Sequence, residues 1–234
     1  MLEVSQLIGF GAGGAENTIQ FVGANQRTTA GVLSLTALTG GIDTAARAGD
    51  LVIVAIGDDG SSNQDLTIST PSGYAELADL YANDSGPDPE LGVFWKLMGG
   101  TPDTSVTIPS YTGPSAIAYV LRGVNQSTPI DATTVPATGI DGTAIDPGAI
   151  TTVTPNALVV AIMCATSDTD GVTVTPPTGY TNLSNIPSGT PNQNLAVASK
   201  TVPSPGVENP DAFTGLVVSG SRAWCAATVA IRPA

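Results

Sequence analysis

The side chains in this chain that could do chemistry are carboxylates, two thiols and little else. Histidine is absent from all 234 residues, so no Ser-His-Asp or Cys-His arrangement and no His-based zinc site can be assembled. Carboxylates gather at Asp58-Asp59, from Asp84 to Glu90, and from Asp168 to Asp170. A pair of them flanking a sugar would make a glycoside hydrolase, and Asp58, Asp59, Asn63 and Asp65 could offer hard oxygen ligands to calcium. Their spacing is not that of an EF-hand loop, and Asp among Gly, Asn and Ser is the ordinary resident of solvated turns. Cys164 and Cys225 each sit in an apolar run, Ala161-Ile162-Met163-Cys164-Ala165 and Ala223-Trp224-Cys225-Ala226-Ala227, which predicts buried thiols rather than a disulfide framework or a thiolate metal site. Gly9-Phe10-Gly11-Ala12-Gly13-Gly14 has the look of a phosphate loop, but no strand precedes it and no amphipathic helix follows. The expectation is a protein that is not an enzyme, with no catalytic residue, no metal and no cofactor.

Charge narrows the partners. Twenty Asp and Glu against seven Lys and Arg give a formal net charge of −13, which repels phosphate backbones, and no stretch gathers the basic residues into a patch. Nucleic acid is not an expected partner. No apolar run reaches the roughly 18 to 20 residues that span a bilayer, so no membrane is expected either. The opening Met1-Leu2-Glu3-Val4-Ser5 lacks the basic n-region of a signal peptide. Aromatics are only 5% of the chain; Tyr81, Trp95 and Tyr111 are the candidates for a rim that contacts a glycan or a partner, whereas Trp224, in an Ala-rich strand, reads as core.

Segments rich in Val, Ile, Thr and Tyr alternate with clusters of Gly, Pro, Asp, Asn and Ser, and no window sustains a helical period. The fold class expected is all-β, an antiparallel β-sandwich of jelly-roll-like kind built from two pseudo-repeated halves. Strands are expected at Ile19–Ala24, Val32–Thr36, Leu51–Gly57, Leu66–Thr70, Tyr74–Tyr81, Gly92–Met98, Ser105–Pro109 and Ile117–Gly123. The second half adds Leu158–Thr166, Val172–Thr175, Tyr180–Asn185, Leu195–Thr201, Phe213–Ser219 and Trp224–Arg232.

The repeat is read from four blocks. Asp50-Leu51-Val52-Ile53-Val54-Ala55-Ile56, Pro71-Ser72-Gly73-Tyr74, Val93-Phe94-Trp95-Lys96 and Ala118-Tyr119-Val120-Leu121-Arg122 return, 104 to 110 residues later. The second set is Ala157-Leu158-Val159-Val160-Ala161-Ile162, Pro177-Thr178-Gly179-Tyr180, Val197-Ala198-Ser199-Lys200 and Thr228-Val229-Ala230-Ile231-Arg232, and the chain's two lysines fall at matching positions. If each half forms one sheet with an apolar face, the other half is its natural cover. That gives a sandwich over 17–234, with halves at about 17–125 and 126–234; two tandem domains of about 105 residues, joined through the loop-like Gly123 to Pro155, are the alternative. Each Gly-Tyr pair ends a turn in which Gly takes the backbone angle and Tyr packs into the core or closes the sandwich edge.

Taken in order, Gly49-Asp50-Leu51-Val52, Pro71-Ser72-Gly73-Tyr74, Val93-Phe94-Trp95-Lys96, Leu121-Arg122-Gly123-Val124 and Pro129-Ile130-Asp131-Ala132, with their weaker repeat, resemble a family of β-sandwich proteins. Its members occur in tailed-phage virions and among secreted or surface bacterial proteins. The likeness covers about residues 17 to 234; Tyr74 and Tyr180 stand where that family often has Trp. The resemblance implies a virion structural protein, decorating the head or forming part of a fibre or tail surface. Its partners would be other capsid or tail proteins and further copies of itself, and its place the outside of the particle. A carbohydrate-binding, host-adhesion module with an extracellular location and a host surface glycan as ligand is the competing reading. The start of the chain is similar to leaders of small phage structural proteins, so residues 1–16, with Leu7, Ile8 and Phe10, are either an anchoring arm or a flexible terminus.

Overall fold

The computed structural model describes residues 18–60, 65, 67–83, 88–111, 113–140, 144–166, 171–187, 193–216 and 222–234, without the side chains of 59 and 60. The proposed arm residues Leu7, Ile8 and Phe10 lie outside these, as do Asn63 and Asp168 to Asp170. Fourteen strands and no helix make up the described chain. In the first half they are β1 (Gln20–Arg27), β2 (Gly31–Ser34), β3 (Leu51–Gly60), β4 (Ala75–Tyr81), β5 (Asp88–Leu97), β6 (Ser105–Ile108) and β7 (Ser115–Arg122). In the second they are β8 (Ile130–Gly139), β9 (Ile150–Thr152), β10 (Ala157–Thr166), β11 (Thr181–Ile186), β12 (Gln193–Val202), β13 (Gly206–Glu208) and β14 (Trp224–Ile231).

Each half builds one five-stranded antiparallel sheet, ordered β1-β7-β3-β5-β4 and β11-β12-β10-β14-β8. Counted within its own half, each sheet runs first, seventh, third, fifth, fourth, and each half pairs its second strand with its sixth in a small outer sheet, β2-β6 and β9-β13. The two large sheets stack face to face with β1 over β11 and β4 over β8. Two stacked antiparallel sheets are what the molecule shares with a jelly roll; the chain passes from one large sheet to the other once, between β7 and β8.

Period-two alternation decides what each face touches. Leu51, Ile53, Ala55, Leu91, Val93, Ile117, Tyr119 and Leu121 point inward from the first sheet and meet Leu158, Val160, Ile162, Leu195, Val197, Val229 and Ile231 of the second. Each such aliphatic side chain contributes about 1.5–3 kcal/mol on leaving water. The alternate residues are apolar too. Val52, Val54, Ile56, Phe94 and Val120 are roofed by Leu33, Leu35, Leu38, Val106 and Ile108 of the outer layer. On the other side the small side chains of Ala161, Ala196, Ala198 and Ala226 are met by the large Tyr180 and Phe213. Both faces of β10 are therefore covered, which is why it is buried at every position.

Three expected strands are corrected. Among the described residues Leu66–Thr70 contains no strand; Ile68 plugs the outer core while its N–H donates to Asp79 Oδ1 at 3.2 Å. Val172–Thr175 and the described part of Phe213–Ser219, residues 213–216, are reduced to isolated bridges, Thr175 to Thr214 and Ile145 to Phe213. Conversely β8 crosses the stretch read as a linker. It is an edge strand whose Thr-rich sequence and Pro136 give no apolar alternation, and an edge is where a sheet tolerates Pro.

The loop from Thr36 to Asp50 is laced onto β1. Gly41 passes so close that a Cβ there would strike the Val22 backbone, while Gly99, on the loop after β5, faces open space. Gly41→Ala is expected to cost about 2 kcal/mol or more, in line with other overpacked sites, and Gly99→Ala to be neutral or gain about half a kcal/mol from unfolded-chain entropy. Urea midpoints of the two variants check the contrast.

Candidate functional site

A cavity opens at the end of the sandwich where β3 begins and β5 and β7 finish. It holds about 880 Å³ between Arg47, Asp50, Met98, Gly99, Arg122 and Gln126. Arg122, closing β7, grips the buried Asp50 with two bonds of 2.8 Å, Nε to Oδ1 and Nη2 to Oδ2, and reaches Asp43 at 3.2 Å. Asp50 Oδ2 also accepts the Arg47 N–H at 2.8 Å, and Arg47 Nη2 meets Asp43 at 2.7 Å. The Asp50 bonds hold the guanidinium firmly protonated, and the Thr44 N–H and neighbouring arginines keep the Asp43 carboxyl below its ordinary range. Two cations thus face two carboxylates in a closed network that ties the Thr36 to Asp50 loop to the sheet.

The second half solves the same problem with different residues. Arg232, just after β14, binds Asp131 Oδ1 at 3.2 Å, and Asp131 Oδ2 accepts the Val153 N–H at 2.7 Å, shortly before β10. In both halves an Arg at the end of the last strand meets a buried Asp that also holds a backbone N–H near the start of the third.

The two lysines flank the two turn tyrosines. Lys96 Nζ lies 5.7 Å from the Tyr74 ring centre and 2.6 Å from Asp103; Lys200 Nζ lies 5.8 Å from that of Tyr180 and 2.8 Å from Glu208. Both rings are buried under the outer layers rather than closing the sandwich edge, and Gly73 and Gly179 before them take φ of +81° and +79°. Glu208, one methylene longer than Asp103, also accepts the Tyr180 hydroxyl at 3.3 Å, whereas the buried Tyr74 hydroxyl has no hydrogen-bond partner among the described residues.

At the opposite end three of the acidic residues expected in solvated turns, Asp58, Asp88 and Glu90, are buried inside strands. Asp58 of β3 stands opposite Glu90 of β5, with Asp88 two residues further along, and all three are shielded from solvent. Asp58 Oδ1 accepts the Gly113 N–H at 2.9 Å, and Asp88 Oδ2 accepts the Tyr81 hydroxyl at 2.8 Å. Burial and the Asp88 bond raise the Tyr81 phenol above its usual range. Beneath them Gln193 of β12 reaches across to the other sheet, its Nε2 donating toward Gly57 O, Gly113 O and Ser115 Oγ at 2.8–3.0 Å. Gly57 leaves room for this: a Cβ there would press on Cys164 Sγ. Among the described residues no group of three His, Cys, Asp or Glu is placed to hold a metal ion.

The three candidate contact aromatics are not brought onto one rim. Trp95 pairs with Ile53 and packs against the inter-sheet core; Tyr111 packs on the outer core and accepts the Ser69 N–H; Tyr81 lies at the far end of edge strand β4. Trp95 and Tyr111 therefore sit on opposite faces of the first sheet. Cys164 and Cys225 are both fully buried in the inter-sheet core. No family model, curated protein or solved structure matches the chain.

Asp50→Asn removes the charge that Arg122 and the Arg47 N–H converge on; with Arg122 partly solvated, roughly 2 kcal/mol of stability is expected to go, measured by urea unfolding. Tyr180→Phe is expected to cost about 1 kcal/mol and Tyr74→Phe almost nothing, because only the first breaks a bond. Burial raises the phenols of Tyr74, Tyr119 and Tyr180, each then modified by its neighbours. The folded state therefore prefers them neutral, and stability is undiminished by them below about pH 10 and falls above it as the unfolded phenols ionise. Thermal midpoints across that range read the slope.

Proposed function

We propose that this chain is a non-enzymatic structural protein of a phage particle, on the outer surface of head or tail, acting through contacts with other virion proteins and with its own copies. The virion assignment rests on the motif resemblance. The non-enzymatic part is supported by one observation above the rest: all seven basic side chains are committed within the chain. Arg47, Arg122, Arg232, Lys96 and Lys200 are in ion pairs, Arg27 holds the carbonyls of Thr29, Ala30 and Val32, and Arg222 is likewise engaged. Such cations consolidate loops, each already engaged by a group of the chain itself.

What remains for partners is the outer surface, where Val32, Val153 and Val207 are exposed on or beside the small outer sheets. Weak contacts of that kind become strong when many copies bind a symmetric lattice at once. Labelling the chain in purified particles and imaging them tests the reading. Head or tail label at fixed stoichiometry is expected. Absence from particles, with retention of the isolated protein on host polysaccharide, would overturn it in favour of an extracellular adhesive module.

A further inference from the structure

Cys164 of β10 and Cys225 of β14 are direct partners in the antiparallel register of the second sheet, and both belong to its inward face. Opposed residues in such a ladder have Cα atoms about 4.5–5.5 Å apart and Cβ atoms about 4.5–5.5 Å apart. A disulfide asks for Cα separations of about 4.4–6.8 Å and Cβ separations of about 3.5–4.5 Å. The two backbones already meet the first requirement, and a small approach satisfies the second. We infer that Cys164 and Cys225 form a cross-strand dithiol that closes to a disulfide in oxidising surroundings and locks β10 to β14.

In the reduced form each thiol is turned to a different acceptor. Cys164 Sγ donates to Gln193 Oε1 at 3.4 Å and Cys225 Sγ to Pro89 O at 3.3 Å. Closing the bond swings both sulfurs from these acceptors toward each other, which releases Cys164 from the glutamine that bridges the sheets. Burial first, then the charges of Glu90, Asp79 and Asp65, push the Cys225 thiol up, so the closed fold resists oxidation. Cys225 is the second residue of β14 and pairs one step inside the Ala165–Trp224 end of the ladder. Fraying of that end is the least costly way to expose both sulfurs. The chemistry balances as thiol–disulfide exchange: the two thiols become one disulfide, and an external disulfide such as oxidised glutathione takes up both electrons and both protons as two thiols. The bond would bracket residues 164 to 225, a loop long enough for cross-linking to restrict the unfolded chain substantially.

The test is an equilibrium measurement on the wild-type chain. The protein is brought to equilibrium in glutathione redox buffers from both the reduced and the oxidised side, with and without concentrated urea, then quenched, alkylated with N-ethylmaleimide and weighed intact. The expected result is a species lighter by two hydrogens and carrying no maleimide, with an equilibrium constant against glutathione at least about 10-fold larger in the folded protein than in urea. Cys164→Ala and Cys225→Ala should abolish that species. A constant in the folded protein equal to or below that in urea, or glutathione adducts in place of the internal bond, would overturn the inference.

Discussion

Everything in this molecule hangs on the contact between the inward faces of its two large sheets. Each sheet comes from one half of the chain, and each is apolar on both sides, so a half alone would leave its inner Leu, Ile and Val residues in water. Stacking the halves covers those faces at once. The outward faces then need covers of their own, and each half supplies one from the same chain positions, its second and sixth strands with the loops around them. The result is four layers with three apolar cores, in a chain whose charged residues are few.

Apolar contact is non-directional, and polar bonds between the sheets fix how they sit. Gln193 bridges at one end, the Tyr119 hydroxyl meets Ser199 Oγ at 2.8 Å nearer the middle, and Gln26 Nε2 donates to Ser184 Oγ at 2.8 Å along one edge. Buried bonds of this kind are costly to leave unmade, so they penalise any slip of one sheet over the other. Glycine at position 57 belongs to the same device, since it makes room for the glutamine. The arginine networks of Arg122 and Arg232 act at the opposite end, on loops rather than on the stack.

Much of this is legible in the amino-acid sequence. β3, β7, β10 and β14 announce themselves as apolar runs because both their faces are buried, and the matching lysines pointed to environments that turn out alike, each with a turn tyrosine and a carboxylate. What stayed hidden had physical causes. β8 reads as loop because an edge strand carries Thr and Pro136 without penalty. Asp58, Asp88 and Glu90 read as turn residues because burial of a carboxylate depends on donors that the fold brings to it, such as the distant Gly113 N–H for Asp58 and the neighbouring strand's Tyr81 hydroxyl for Asp88. Tyr81, Trp95 and Tyr111 could not be assigned to faces, since the bulge between Glu76 and Ala78 shifts β4 against β5 and Tyr111 lies outside any strand. The partnership of Cys164 with Cys225 needed the strand register itself.

A shared inter-sheet core has one direct consequence for the energetics: neither half can open fully without uncovering the other. Native-state hydrogen exchange under increasing denaturant reads this. The slowest amides of β3 and β7 and those of β10 and β14 should exchange with the same opening free energy and the same denaturant dependence, as one cooperative unit. A lower opening free energy for one pair than for the other would contradict a common core and mean that the halves are held separately.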